Sequence, residues 1–272
     1  YAFRGCSGLT SITIPEGVTI IENGTFYGCS NLTGNPVCGP KVNDMGNAYA
    51  SSGVTGTPVC GNNVKYMGSA YNNCQGLTGA PVCGASVVNM NYVYQNCYNI
   101  KGSPVCGPNV TEMASTYSNC YNITGSPVCG NSVKNFSMAY HGCMNLTGSP
   151  ECGPNVTNMV GTYKNCTNLT GDPYFGNKVT NACNAYYNCP NLDGYVYIYS
   201  NNIANMCNCF WGKNTSKRLT LFAHQNSITW NSIMVNNAKS IVGANITWTP
   251  YYTSSIIGYY YNTTYNIHLY PM

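Results

Sequence analysis

Seven carboxylates, three histidines and seventeen cysteines are the side chains of this 272-residue chain whose types could carry chemistry. The acids are Glu16, Glu22, Asp44, Glu112, Glu151, Asp172 and Asp193, far apart along the sequence. Glycoside hydrolysis needs two carboxyl groups about 5–10 Å apart. No two of these acids hold the same position in neighbouring repeats of the pattern set out below, so no catalytic residue is expected. His141, His224 and His268 have no nucleophile or metal partner close by in sequence, and His141 is expected to sit in solvent. Phosphate loops, Gly-x-Ser-x-Gly and His-Glu-x-x-His are missing. The densest thiol group is Cys183, Cys189, Cys207 and Cys209. Its Cys-x-Cys spacing departs from the Cys-x₂₋₄-Cys of zinc sites, and Cys189 belongs to a longer series. Neither a metal nor a cofactor is expected.

Most of the other cysteines form two stripes. One runs Cys6, Cys29, Cys74, Cys97, Cys120, Cys143, Cys166 and Cys189, with Gly53 as its interruption; the other runs Cys38, Cys60, Cys83, Cys106, Cys129 and Cys152 and ends at Phe175. An aromatic cannot replace a disulfide or a ligand, so Phe175 marks the second stripe as a packing position. In stacked repeats like cysteines would lie about 5 Å apart with parallel Cβ vectors, a poor direction for a disulfide. Both stripes, Cys97, Cys120, Cys143, Cys166, Cys106 and Cys129 among them, are therefore expected to be core thiols acting as small hydrophobes.

The elements that must position these side chains follow from the period. An aromatic returns at Phe3, Phe26, Tyr49, Tyr71, Tyr94, Tyr117, Tyr140, Tyr163, Tyr186 and Phe210, at intervals of 22 to 24 residues. A fixed period of this size is the mark of a solenoid, in which each coil buries its apolar face against the next. The spacing Val110, Met113, Tyr117, Cys120, Ile123 predicts a short helix or 3₁₀ turn. The segment Ser126-Pro127-Val128-Cys129 predicts a short parallel strand. Between them, Gly34, Gly56, Gly79, Gly102, Gly125, Gly148, Gly171 and Gly194 are expected at turns of positive φ. Asn31, Asn99, Asn122, Asn145, Asn168 and Asn191 predict a ladder that satisfies turn backbone groups between coils. The fold class is thus an α/β repeat solenoid of about nine coils over residues 1–212, about 43 Å long at a sheet spacing of about 4.8 Å. A small α+β domain over 213–272 is expected to cap it or drive assembly. Its predicted elements are strands at Arg218–Phe222, Ile241–Trp248, Tyr259–Tyr261 and Tyr265–Tyr270, and a helix at Asn226–Ala238.

The opening Tyr1-Ala-Phe3-Arg-Gly-Cys6-Ser-Gly-Leu9-Thr-Ser-Ile12-Thr-Ile14-Pro15 closely resembles the BspA-like leucine-rich repeat, whose frame is an aromatic, a Cys, a Leu and an Ile-Pro element per coil. Later coils, with Asn-Val-Thr-x-Met and Tyr-x-Asn-Cys-x-Asn-Leu-Thr, are similar to a 23-residue variant in surface proteins of host-associated microbes and their phages. The resemblance covers residues 1 to about 210. It implies the leucine-rich fold, extracellular display on a virion or cell surface, and adhesion.

Only 7% of residues are charged, and the formal charge of +4 is spread thinly, with Lys213, Lys217 and Arg218 as its one cluster. Nucleic-acid binders concentrate basic residues on one face, so no nucleic acid is expected. Without a run of eighteen apolar residues, membrane insertion is not expected either. The chain opens at Tyr1 in mid-frame, which leaves targeting unread. Twelve Asn-x-Ser/Thr sequons arise mostly from the repeat itself. The binding candidates are residues that vary while the frame stays fixed. Tyr98, Tyr121 and Met144 hold one frame position in successive coils and predict an exposed apolar ridge, and Tyr174 and Tyr187 add aromatic surface near the solenoid's end. The expected partners are a microbial surface protein or glycan, other virion or surface proteins, and a second copy through residues 213–272.

Overall fold

In a computed structural model, residues 1–225, 227–234, 249–253, 256–264 and 266–272 are described. Residues 1–212 wind as stacked coils, and every large aromatic of the repeat lies on the ring of the next coil. Phe26–Tyr49 centroids are 5.1 Å apart, Tyr94–Tyr117 5.6 Å, and Tyr186–Phe210 5.7 Å, all nearly parallel. Tyr49, Tyr71, Tyr94, Tyr117, Tyr140 and Tyr163 are wholly buried, walled by the Val, Met, Cys and Leu or Ile of each coil.

The Val-to-Leu segment is neither α-helical nor 3₁₀, as its 3, 4, 3, 3 spacing had predicted. It is a pair of tandem four-residue turns. Ala48 N–H bonds Met45 O at 3.1 Å and Ser52 N–H bonds Tyr49 O at 3.0 Å. Asn47 and Ser51, third in each turn, have φ of 56° and 57°, the positive value a type II turn requires. The N–H groups in between point along the solenoid: Met45, Asn47, Tyr49 and Ser51 donate to Tyr66, Gly68, Ala70 and Asn72 of the next coil at 2.8–2.9 Å. A helix would keep those donors within its own coil, so stacking excludes it.

The parallel pairing also falls elsewhere than predicted. The residue before each core Met or its equivalent forms one unbroken run of single bridges, Ile20↔Asp44, Asp44↔Tyr66, Tyr66↔Asn89, Asn89↔Glu112 and on to Asn181↔Asn205. By contrast, the Pro-Val-Cys leg has no bridge until Phe175↔Ile198. Its backbone is satisfied by tyrosine. Tyr117 Oη donates to Val105 O at 2.7 Å and accepts from Val105 N–H at 3.0 Å. Tyr94 does the same at Val82, Tyr140 at Val128 and Tyr163 at Glu151. Each hydroxyl therefore braces one leg of its coil to the other, closing groups that no neighbouring strand closes.

Among the described residues beyond 193, five strands form one sheet, ordered first, second, fifth, fourth, third. β1 (Gly194–Ile198) still belongs to the last repeats; β2 (Leu219–Ala223) and β5 (Ile267–Pro271) lie parallel to it in turn. β4 (Ile256–Asn262) and β3 (Thr249–Thr253) complete it antiparallel. Val196, Ile198, Leu219, Leu221, Ile267 and Leu269 face the core, joined by Trp230 of the short helix α1 (Ile228–Met234), the one helix among the described residues. The strand expected at Ile241–Trp248 and part of the helix expected at Asn226–Ala238 lie outside the described residues.

Candidate binding surface

Tyr98, Tyr121 and Met144 occupy the fourth position after the buried tyrosine in three successive coils. The two rings stack at 5.0 Å and 5°, half-buried, and Met144 beyond them is 43% exposed. Asn122 Nδ2 holds Tyr98 O at 3.0 Å, Asn99 holds Gln75 O at 2.9 Å and Asn191 holds Thr167 O at 2.8 Å. At these three places the asparagine before the Leu or Ile fixes the backbone of this row to the preceding coil; Asn31, Asn145 and Asn168 make no such bond. Because the rings cover each other's faces, the row offers solvent their edges, hydroxyls and the Met144 thioether.

Tyr174 and Tyr187 lie on two other rows. Tyr174 sits in the braced leg, its N–H and C=O on Tyr186 Oη at 3.0 and 2.6 Å, with its ring 41% exposed. Tyr187 follows the buried tyrosine directly; Lys164 Nζ stands 4.8 Å over its ring and Trp211 stacks against it at 4.4 Å. That row continues to His141, which is half-buried, not solvated, and whose Nδ1 lies 3.3 Å from Ser118 Oγ. Burial and the Lys164 charge both push the His141 pKa down. Residues missed by sequence reading are Tyr92 and Met138. They take φ of 61° and 53°, where other coils carry Asn, Ser or Gly, and are 43% and 42% exposed. A bulky residue at positive φ is a costly choice. The signal was in the sequence, as apolar residues in an otherwise Asn/Ser/Gly column.

The glycines and cysteines explain themselves through the packing of coils. Gly34, Gly56, Gly102, Gly125, Gly148, Gly171 and Gly194 take φ between 72° and 99°. Gly79 does not; there a Cβ would run into the Thr57 backbone and side chain of the preceding coil. In the first cysteine stripe the position that breaks the series is Ser52, not Gly53. Ser52 is three residues after Tyr49, as Cys74 is after Tyr71, and is buried with Oγ 3.8 Å from Cys74 Sγ. Cys97, Cys120, Cys143 and Cys166 each donate a thiol hydrogen to the carbonyl of the preceding coil's stacked tyrosine at 3.0 Å. The second stripe is less enclosed. Cys106 and Cys129 are half-buried against the core's edge, because the leg that carries them lies at the coil's rim. Burial pushes the thiols up, Cys74 to about 11 and Cys83 to about 12, and holds Cys120 well above its ordinary range. A thiolate nucleophile is thereby disfavoured. Cys183 and Cys207, at like positions of adjacent coils, are joined in a disulfide with Cα atoms 4.6 Å apart. Neither belongs to the two stripes, whose cysteines all remain free thiols.

Residues 1–124 match the family model of the BspA type leucine rich repeat region, in six copies. A leucine-rich repeat protein from Bacteroides ovatus is similar in structure, with a TM-score of 0.48 and 17% identity over 82% of this chain. The chain spans 62% of that protein's length. No curated protein matches the sequence. Among the described residues no helix is long and apolar enough to cross a membrane.

Proposed function

We propose that this chain, whose first 124 residues carry BspA-type repeats, is a non-catalytic, surface-displayed binding protein that attaches to a microbial surface protein or glycan. BspA-type repeat proteins are often surface-displayed and adhesion-related. The observation that carries the reading is the ridge of Tyr98, Tyr121 and Met144, rings stacked at 5.0 Å on a frame whose every coil is hydrogen-bonded to the next. Such a ridge meets a partner already ordered, so association costs little conformational entropy. Tyrosine is also a favoured rigid anchor at interfaces. A surface that is only 7% charged leaves amide, hydroxyl and aromatic groups as the means of recognition.

The finer form of the proposal is a phage virion fibre or decoration, with residues 213–272 as a cap that joins copies. Among the described residues β3 is the last strand of the sheet, and an end strand is a template for a second chain, which supports this form over a lone cell-surface adhesin. Flow cytometry of the labelled chain on a panel of bacterial cells tests the general reading. Saturable binding, with the surface material recovered unaltered, supports it. Failure to bind any cell or envelope fraction, or chemical change in the bound material, overturns it. Light scattering tests the finer form, which requires a stable oligomer.

A further inference from the structure

The β1–β2 pair carries a second recess, away from the tyrosine ridge. Asp193, Gly194, Tyr195, Arg218 and Thr220 line it, around a volume of about 360 Å³, within the roughly 300–1,000 Å³ of small-molecule sites. Its walls are tied together by backbone: Gly194 N–H donates to Arg218 O at 3.0 Å, and the strands pair Gly194↔Leu219 and Tyr195↔Thr220. The loop before β2 is pinned as well. Lys217 Nζ reaches Asn191 O at 3.2 Å and Asp193 Oδ2 at 3.3 Å, and Lys213 Nζ donates to Asn214 O at 3.0 Å and to Lys217 O. Both lysines are thereby committed to the loop. Arg218 is exposed and makes no ion pair among the described residues. A second carboxylate, Asp172, lies against the Cα of Gly194, where a Cβ would strike Asp172 Oδ1.

We propose that this recess binds a neutral saccharide, with Tyr195 as the stacking ring, Arg218 as donor and Asp193 as acceptor to neighbouring hydroxyls. Three observations select that class. The Tyr195 ring is 51% exposed at the mouth of a polar recess, and an apolar ring beside polar groups suits a molecule with one apolar face and a hydroxylated rim. Donor and acceptor are both present, which a hydroxyl pair uses and a simple anion does not. The lining holds one acid and one base, Asp193 and Arg218, so the recess wall itself carries no net charge to draw an acidic sugar. Gly194, at φ +99°, keeps the strand's entrance free of a side chain. The site deepens the adhesion reading and rests on it for the source of the sugar.

The test is saturation-transfer NMR on the whole chain with glucose, galactose, mannose, N-acetylglucosamine and their β-linked dimers, alongside glucuronic acid. Tyr195→Ala and Asp193→Asn are run in parallel; both positions are exposed enough to leave the core intact, which circular dichroism checks. At least one neutral sugar is expected to bind, at least tenfold more weakly to each variant. No binding by any neutral sugar, binding of glucuronic acid alone, or binding unaffected by both variants overturns the proposal. Cell attachment that survives in Tyr195→Ala while no sugar binds removes this site and leaves the adhesion reading standing. Sugar binding without attachment to any cell does the reverse.

Discussion

Replacing Tyr117 by Phe isolates the role of the hydroxyl, because the ring and its stacking partners at 5.6 and 5.4 Å stay in place. The change removes the bond to Val105 O at 2.7 Å and the one accepted from Val105 N–H at 3.0 Å. Leaving a buried polar group unpaired costs about 1–3 kcal/mol. Val105 is only half-buried, so water can partly reach the freed groups and the low end applies to each. The sum is about 2 kcal/mol. For a chain of this size that corresponds to a fall in Tm of about 4–8 °C. Thermal melts followed by circular dichroism read the shift, and hydrogen exchange at the Val105 amide reads its local part. The control is Phe210→Tyr. The leg opposite Phe210 is Ile198, already paired with Ala223 in β1–β2, so the new hydroxyl would be buried without those partners and should destabilise. A Tyr117→Phe variant within about 0.5 kcal/mol of the wild type, with unchanged Val105 protection, would refute the bracing argument.

Further outcomes follow from the same geometry. Gly130→Ala places a Cβ 2.8 Å from Cys106 Sγ and 3.3 Å from Gly107 O; forcing the coils apart should cost about 1–3 kcal/mol in urea unfolding, whereas Gly8→Ala, with nothing within 4 Å, should be close to neutral. Ellman's reagent at pH 8 should label Cys6 fastest, the half-buried Cys38, Cys60, Cys83, Cys106 and Cys129 slowly, and Cys97, Cys120 and Cys143 only on unfolding; rapid labelling of Cys120 in the folded chain would contradict its burial. Burial lowers the Lys213 pKa from 10.5 to about 8. The folded chain therefore binds fewer protons than the unfolded one between those values, and stability rises with pH across that window. Relative to Lys213→Met, the wild type should gain stability from pH 8 to pH 10.5 and no further above it, as read by urea midpoints at each pH.

The period, the aromatic column and the first cysteine stripe were legible because a solenoid repeats its packing constraints in every coil. The asparagine ladder was legible in part: Asn99, Asn122 and Asn191 each hold a carbonyl of the coil before, while Asn31, Asn145 and Asn168, expected in the same ladder, do not. Local geometry within a coil was not. Apolar residues three and four apart suit a helix and also suit two successive four-residue turns. What separates them is the column of Asn, Ser and Gly at positions such as Asn47 and Ser51, both at positive φ. The choice of Tyr over Phe was a partial clue: Tyr117 accompanies a leg that lacks a strand partner and Phe210 faces one that has it, but Phe26 faces the Ile14 leg, which has no bridge either. The ridge of Tyr98, Tyr121 and Met144 could be placed by frame position alone. The recess at Asp193 and Arg218 could not, because it is assembled by the pairing of β1 with β2 across 25 residues, and β1 is hidden inside the last repeats. Tyr187 and Tyr174 fell on separate rows because they occupy different frame positions from the ridge.

The most direct test of the adhesion account is an equilibrium binding isotherm on microbial cells for the wild type and for Tyr98→Ser/Tyr121→Ser. Both rings are half-exposed and outside the core, so the variant should melt close to the wild type. The account predicts saturable binding by the wild type and at least tenfold weaker binding by the variant. Identical isotherms for two equally folded proteins would contradict it.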